Sequence, residues 1–213
     1  MKEITKVLMC SKNPLEVARR IAAPICKMNL ENLIAGCSDC GQNLVKGKII
    51  NGSISAPILI INDVHTSDFR VNEYLLEMLR QTGIEQNDVF IINCISCELV
   101  RADGNPRLPN KRETENCKHF VRNAIKFMDP EIIISMGPVA FEMFKNKGEY
   151  KFLEYINKRT EFLGIETFIT HSVKEVYKTK DMMSESEAMK VATTIMECLR
   201  DVQNTILKRR ETR

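Results

Sequence analysis

The sequence predicts an α/β fold, a three-layer α/β/α sandwich around a central, mostly parallel four-stranded sheet. Two patterns lead there. Short apolar runs at residues 56–63, 89–93, 131–137 and 165–171 are continuous rather than alternating, as strands covered on both faces require. Between them lie amphipathic helical stretches, the connections that parallel strands need.

Size and charge agree with such a domain. With 213 residues, 44% hydrophobic and 28% charged, the chain is long enough to bury its own core and is neither disordered nor fibrous in composition. Its apolar runs fall far short of the roughly 20 residues that span a bilayer. The opening MKEITKVLMC has early charges and no apolar segment leading to a cleavage site. A cytoplasmic location with no membrane partner is therefore expected. A formal net charge of +3 permits nucleic-acid binding without demanding it. The cationic tail at 207–213 suits phosphate contact or the negative end of a helix dipole equally well.

In chain order, residues 1–35 read as a helical lead-in to a domain spanning 36–213. Pro14 suits a first helical turn and Pro24 interrupts the helix. A polar loop from Cys37 precedes the strand at 56–63, whose C-terminal end, 62–66, is where an α/β sheet places chemistry. Val71, Tyr74, Leu75, Met78 and Leu79 share one face of a helix over 70–82, stopped by Gly83. The strand at 89–93 opens into a long loop, 94–112, rich in Gly, Asn and Pro. Cys117, Phe120, Val121, Ala124 and Ile125 then mark a helix over 113–128, ended by Asp129-Pro130. The third strand, 131–137, leads into a helix over 138–145. Residues 148–163 carry no clear period. The fourth strand ends at His171, and a capping-box pattern at Ser184 and Glu187 opens a final helix through Leu207.

Cysteine usage is the strongest chemical signal. Reducing conditions in the cytoplasm keep thiols free, so clustered cysteines point to metal. Of the eight, Cys10, Cys26 and Cys198 sit among apolar neighbours and read as buried thiols. The pairs Cys37/Cys40 and Cys94/Cys97 each have chelating spacing, and together they would suit a four-cysteine zinc site. Cys94, however, directly continues a strand, and Cys117 lies on the apolar face of a helix. Zinc and an iron-sulfur cluster both remain open on these residues alone.

The motifs around these cysteines resemble those of the iron-sulfur uracil-DNA glycosylases, the thermostable branch of their superfamily. Cys37 and Cys40 match a leading Cys-x-x-Cys. Ile92-Asn93-Cys94-Ile95-Ser96-Cys97 matches a strand ending in Thr-Asn-Val-Val-Lys-Cys, and the 104–109 segment GNPRLP matches a Gly-Asn-Arg-x-Pro loop. Cys117 matches a fourth cysteine on the next helix, and the likeness extends over roughly residues 35–180. The resemblance implies a structural 4Fe-4S cluster on Cys37, Cys40, Cys97 and Cys117, leaving Cys94 aside; zinc is the alternative.

It also implies an activity on DNA. Excising a base requires extruding the nucleotide, reading its edge and cleaving the glycosidic bond through a cation-like sugar, so an acid, an amide and an imidazole are needed. By the family pattern these are Asp63 for water placement, Asn93 for base recognition and His171 for the departing base, with Phe69 as a substitute for the stacking ring. The chain departs from the pattern too: Gly-Glu-Ala-Pro-Gly reads Asn62-Asp63-Val64-His65-Thr66, and His-Pro-Ser reads Thr170-His171-Ser172. The stacking Pro-Phe-Val-Gly segment is altered. His65 is a lesser candidate, and His119 reads as structural. The expected partner is DNA containing uracil or another damaged base. A second reading keeps fold and cluster without turnover, as a module that binds DNA or a replication or repair protein. A third is a zinc-bound α/β protein unrelated to DNA.

Overall fold

A computed structural model describes residues 26–40, 51–144, 151–176 and 184–212. The expected helical turns around Pro14 and Pro24 lie outside the described residues. Residues 26–36 form helix α1, and its Leu30 and Ile34 are buried in the same core as Phe90 and Phe120.

The four expected strands pair in parallel as β2 (Ile58–Val64), β3 (Val89–Ile95), β4 (Ile132–Met136) and β6 (Ile165–Thr170). Two short strands that the apolar pattern does not announce extend the sheet to six. They are β1 (Asn51–Gly52) and β5 (Arg159–Phe162), and the order is β1-β3-β2-β4-β6-β5. Both pair antiparallel at the edges. β1 has two residues, too few for any period, and β5 alternates exposed Arg159 and Glu161 with half-buried neighbours. β5 returns into β6 through Leu163 and Gly164, at φ 52° and 78°, the paired left-handed turn that suits a hairpin's twist.

Pleating sorts the apolar strands between two cores. Leu59, Ile61, Phe90, Ile92 and Ile133 face α1, α3 (Lys111–Met128) and α4 (Pro138–Glu142). Ile58, Ile60, Val89, Ile91, Ile134 and Phe168 face α2 (Phe69–Gln81) and α5 (Glu185–Glu211). Each fully buried Leu, Ile or Phe contributes roughly 1.5–3 kcal/mol of transfer free energy, so every central strand is held from both sides.

Local chemistry sets the helix ends. Asp68 caps α2 by accepting from the Arg70 amide at 3.1 Å. Asn110 and Glu113 form a capping box, which starts α3 two residues ahead of the apolar period, and Asp129 closes it in the left-handed region before Pro130. The capping box of Ser184 and Glu187 opens α5 as expected. At the far end of α5, Arg209 donates to Glu131 O at 2.9 Å and to Glu166 at 2.5 Å, and Arg210 donates to Asp88 at 2.8 Å. Arg209 and Arg210 thus pair with the chain's own acids near the amino-terminal edge of the sheet. In the unassigned stretch, Phe152 and Tyr155 pack at a tilt against Phe141, with centroids 5.8 and 5.2 Å away. Among the described residues, no helix is long and apolar enough to cross a membrane.

Candidate functional site

The cysteines come from three segments. Cys37 and Cys40 follow α1, Cys97 follows β3, and Cys117 sits within α3. The Cys37–Cys40 turn is tied to α3 by polar contacts: Asn116 donates to Asp39 O at 3.0 Å and to Cys40 Sγ at 3.5 Å, and Arg112 donates to Asp39 O at 3.4 Å. Burial pushes the Cys117 thiol up to about 12; the nearby sulfurs of Cys40, Cys97 and Cys37 act in the same direction, against a hydrogen bond from the Ser96 backbone. One thiol thus feels the other three. Among the described residues, no three His, Cys, Asp or Glu side chains converge on a single-ion position.

Cys94 has different surroundings. It is fully buried within β3. Burial raises its thiol well above the usual range, with Asp63 and then Cys117 adding to the effect. Cys198 is buried in the opposite core.

At the carboxyl edge of the sheet lies a cavity of about 550 Å³, lined among others by Asp63, His65, Glu98, Arg101, Arg107 and Lys174. Asp63 packs against the turn after β4: a Cβ on Gly137 would stand 2.8 Å from its Oδ2 and 2.9 Å from Ser172 Cβ. The absence of a side chain at Gly137 leaves room for the carboxylate. His65 extends the strand pairing by donating its amide to Ile95 O at 2.8 Å, and its Nδ1 lies 3.4 Å from Asn93 Nδ2. Burial holds the imidazole below its usual 6.5, opposed by Glu98 and reinforced by Lys174.

Lys174 fixes this loop, donating Nζ to Val64 O and, at 3.2 Å, to His65 O. Glu98 accepts from the Ser67 amide at 3.1 Å and from its hydroxyl at 2.7 Å. Partial burial opposes its ionisation, but these bonds, together with His65 and Lys174, keep the carboxyl below the usual range. The 98–110 loop is stiffened by a bridge between Val100 and Pro106 and by bonds from Arg101 N to Asn105 O and from Arg107 N to Leu99 O. Arg107 grips Glu113 through both terminal nitrogens, at 2.8 and 2.6 Å.

The residues singled out in the sequence divide into two groups here. Asp63 lines the cavity, and Asn93, in register with Asn62 on the neighbouring strand, reaches it through His65. His171 bonds Glu175 at 2.7 Å, stands edge-on to Phe152 and does not line the cavity. Phe69, the first residue of α2, is 65% exposed and also lies outside the lining. Glu98, Lys174 and Arg101 form no motif in the sequence, while Arg107 falls within the 104–109 loop segment. Glu98 and Lys174 did have one available signal, since both follow the carboxyl ends of predicted strands.

A parallel sheet helix-covered on both faces, with a polar cleft beyond its strand ends, defines an α/β protein of the kind that binds ligands at that edge. A profile of the family described as "Uracil DNA glycosylase superfamily" matches residues 56–194, most of the chain; the protein belongs to that superfamily. The matched region includes Asp63, Asn93, Cys97, Cys117 and His171. Among curated proteins, the chain is similar to a Type-4 uracil-DNA glycosylase of Thermotoga maritima, with 28% identity over 95 residues, covering 45% of this chain and 47% of that one. It is also similar to a Type-4 uracil-DNA glycosylase of Pyrobaculum aerophilum, with 25% identity over 149 residues, 63% of this chain and 68% of that one. The match to the Thermotoga protein thus spans about half of that relative's length.

Proposed function

We propose that this protein hydrolyses the N-glycosidic bond of uracil or another damaged base in DNA and carries a 4Fe-4S cluster on Cys37, Cys40, Cys97 and Cys117. The observation that carries the activity is the cavity at the carboxyl edge, with the Asp63 carboxylate in its wall and Arg101, Arg107 and Lys174 around it. Its volume of about 550 Å³ lies in the range of ligand pockets and admits an extruded nucleotide. The exposed Arg101 is placed to meet a phosphate backbone, while a carboxylate suits a sugar that becomes cation-like as the bond breaks.

In this reading Asp63 holds the attacking water and offsets charge on the sugar, and Asn93 reads the base edge. Phe69, exposed beside Arg70, is available to stack on a flanking base. His171 contributes to base departure only if its ring leaves Glu175, so His171→Ala is expected to lose less activity than Asp63→Asn.

The donor set supports the cluster. Four soft thiols and no nitrogen or oxygen ligand suit zinc or iron-sulfur chemistry. The sulfurs of Cys40, Cys97 and Cys37 lie near enough to Cys117 to raise its thiol, as ligands of one shared centre would. When bound, the group would join the segment after α1, the end of β3 and α3 into one unit.

The second reading, a module that binds DNA or a replication or repair protein without turnover, is favoured by the altered Asn62–Thr66 strand end and by His171 and Phe69 standing outside the cavity. A single-turnover incubation with a uracil-containing strand, followed by alkaline cleavage, separates the two. Scission by wild type and its loss in Asp63→Asn support hydrolysis. Salt-sensitive DNA binding without scission supports the binding module.

A further inference from the structure

We infer that His65 contacts the extruded base, donating Nε2–H to a carbonyl oxygen, so that the cavity selects bases bearing an oxo group, deaminated bases among them. This rests on the proposed action on DNA and names the substrate class of that same site. His65 lines the cavity. The Asn93 amide nitrogen lies 3.4 Å from its Nδ1, and because an amide NH₂ can only donate, Nδ1 carries the lone pair and the ring proton sits on Nε2. With Nδ1 engaged by Asn93, Nε2 is the nitrogen left for a ligand. The backbone holds this orientation from two sides, through the amide bond to Ile95 O and the Lys174 ammonium on Val64 O and His65 O.

The chemistry of the position departs from the family motif. In the motif that Asn62–Thr66 resembles, the residue matching His65 is proline, which has no donor. An imidazole there, oriented by an asparagine, turns a scaffold position into a reading position. A buried donor rewards a carbonyl and rejects an amino group, which would leave two donors facing each other. Asn93 then acts on the base through its neighbour, by setting that ring's tautomer.

The test uses the full chain with ¹⁵N-labelled histidine. There are three histidines, and loss of one set of resonances in His65→Gln assigns His65. At about pH 7.5, where a depressed imidazole is neutral, the expected state is the Nε2–H tautomer. Its Nε2 signal should move on adding a strand with one uncleavable 2′-fluoro-2′-deoxyuridine, and stay in place with deoxyadenosine at that position. In single-turnover excision of uracil, His65→Leu should slow the reaction about a hundredfold, as loss of one preorganised donor does, while His65→Gln, which keeps an N–H, should remain within about tenfold of wild type. An Nδ1–H tautomer, an unmoved Nε2 or undiminished excision by His65→Leu overturns the inference. If wild type cleaves no oxo-base, the hydrolysis reading falls, and the ¹⁵N response to the uncleavable strand still decides the contact at His65.

Discussion

Gly137→Ala offers a direct test of the site geometry. Gly137 leaves β4 at φ 95° and ψ 167°, a region that residues with side chains enter at a cost of about 1–3 kcal/mol. Its new Cβ would meet Asp63 Oδ2 at 2.8 Å, Asp63 Cγ at 3.0 Å and Ser172 Cβ at 2.9 Å, all closer than normal carbon contacts. Relieving that crowding moves the carboxylate or the strand end, and overpacking of this sort adds about 1–3 kcal/mol. A combined loss of about 3 kcal/mol corresponds to a fall of roughly 6–12 °C in thermal midpoint for a chain of this size. Urea unfolding measures the loss, and single-turnover excision should fall in the same variant because Asp63 is displaced. The two contributions separate in a double-mutant cycle. In an Asp63→Ala background the carboxylate is gone, so Gly137→Ala should cost about 1–2 kcal/mol less. A loss within about 0.5 kcal/mol of zero, or the same loss in both backgrounds, would refute a carboxylate packed on the glycine.

Other expectations follow from the cysteines, the loop and its cations. Cys117→Ser should abolish iron content and broad visible absorbance in anaerobically purified protein, whereas Cys94→Ser should keep both; equal loss would show that the ligand set is wrong. The Arg107 pair, ahead of an opposing desolvation effect, holds the Glu113 carboxyl below its usual 4.5. The stability it contributes is therefore full above that value and is lost as pH falls through the folded-state pKa. Glu113→Gln should cost about 1–3 kcal/mol near neutral pH and flatten the acid limb of the stability profile. Arg101→Ala should lower the magnitude of the slope of log K against log salt for single-stranded DNA by about 0.7 if Arg101 neutralises one phosphate. An unchanged slope would remove Arg101 from the DNA path.

The parallel core was legible because Ile-rich runs buried on both faces have no other stable arrangement in water. β1 and β5 were not, since an edge strand borrows its pairing from a neighbour and β5 exposes charges on alternate positions. The start of α3 was hidden for a related reason: Asn110 and Glu113 define it through hydrogen bonds, ahead of any apolar period. In the site, Asp63 and Asn93 could be picked out as polar residues at the ends of apolar strands. His65 ranked low because its importance comes from contact with Asn93, 28 positions away, and Lys174 because it grips carbonyls 109 and 110 positions distant. The basic tail, read in one dimension, suits phosphate contact or a helix dipole alike. In three dimensions Arg209 and Arg210 meet Glu166 and Asp88 instead.

The two outer strands also govern how the molecule behaves in company. A row of apolar parallel strands left open would offer its amides and carbonyls to any passing chain, the usual route to stacking into fibres. Here, among the described residues, one margin is two residues long and the other carries Arg159 and Glu161 outward, too short and too charged to serve as templates. Margins of this kind discourage strand-by-strand stacking of copies, which would leave the carboxyl-edge cavity open to the DNA proposed above.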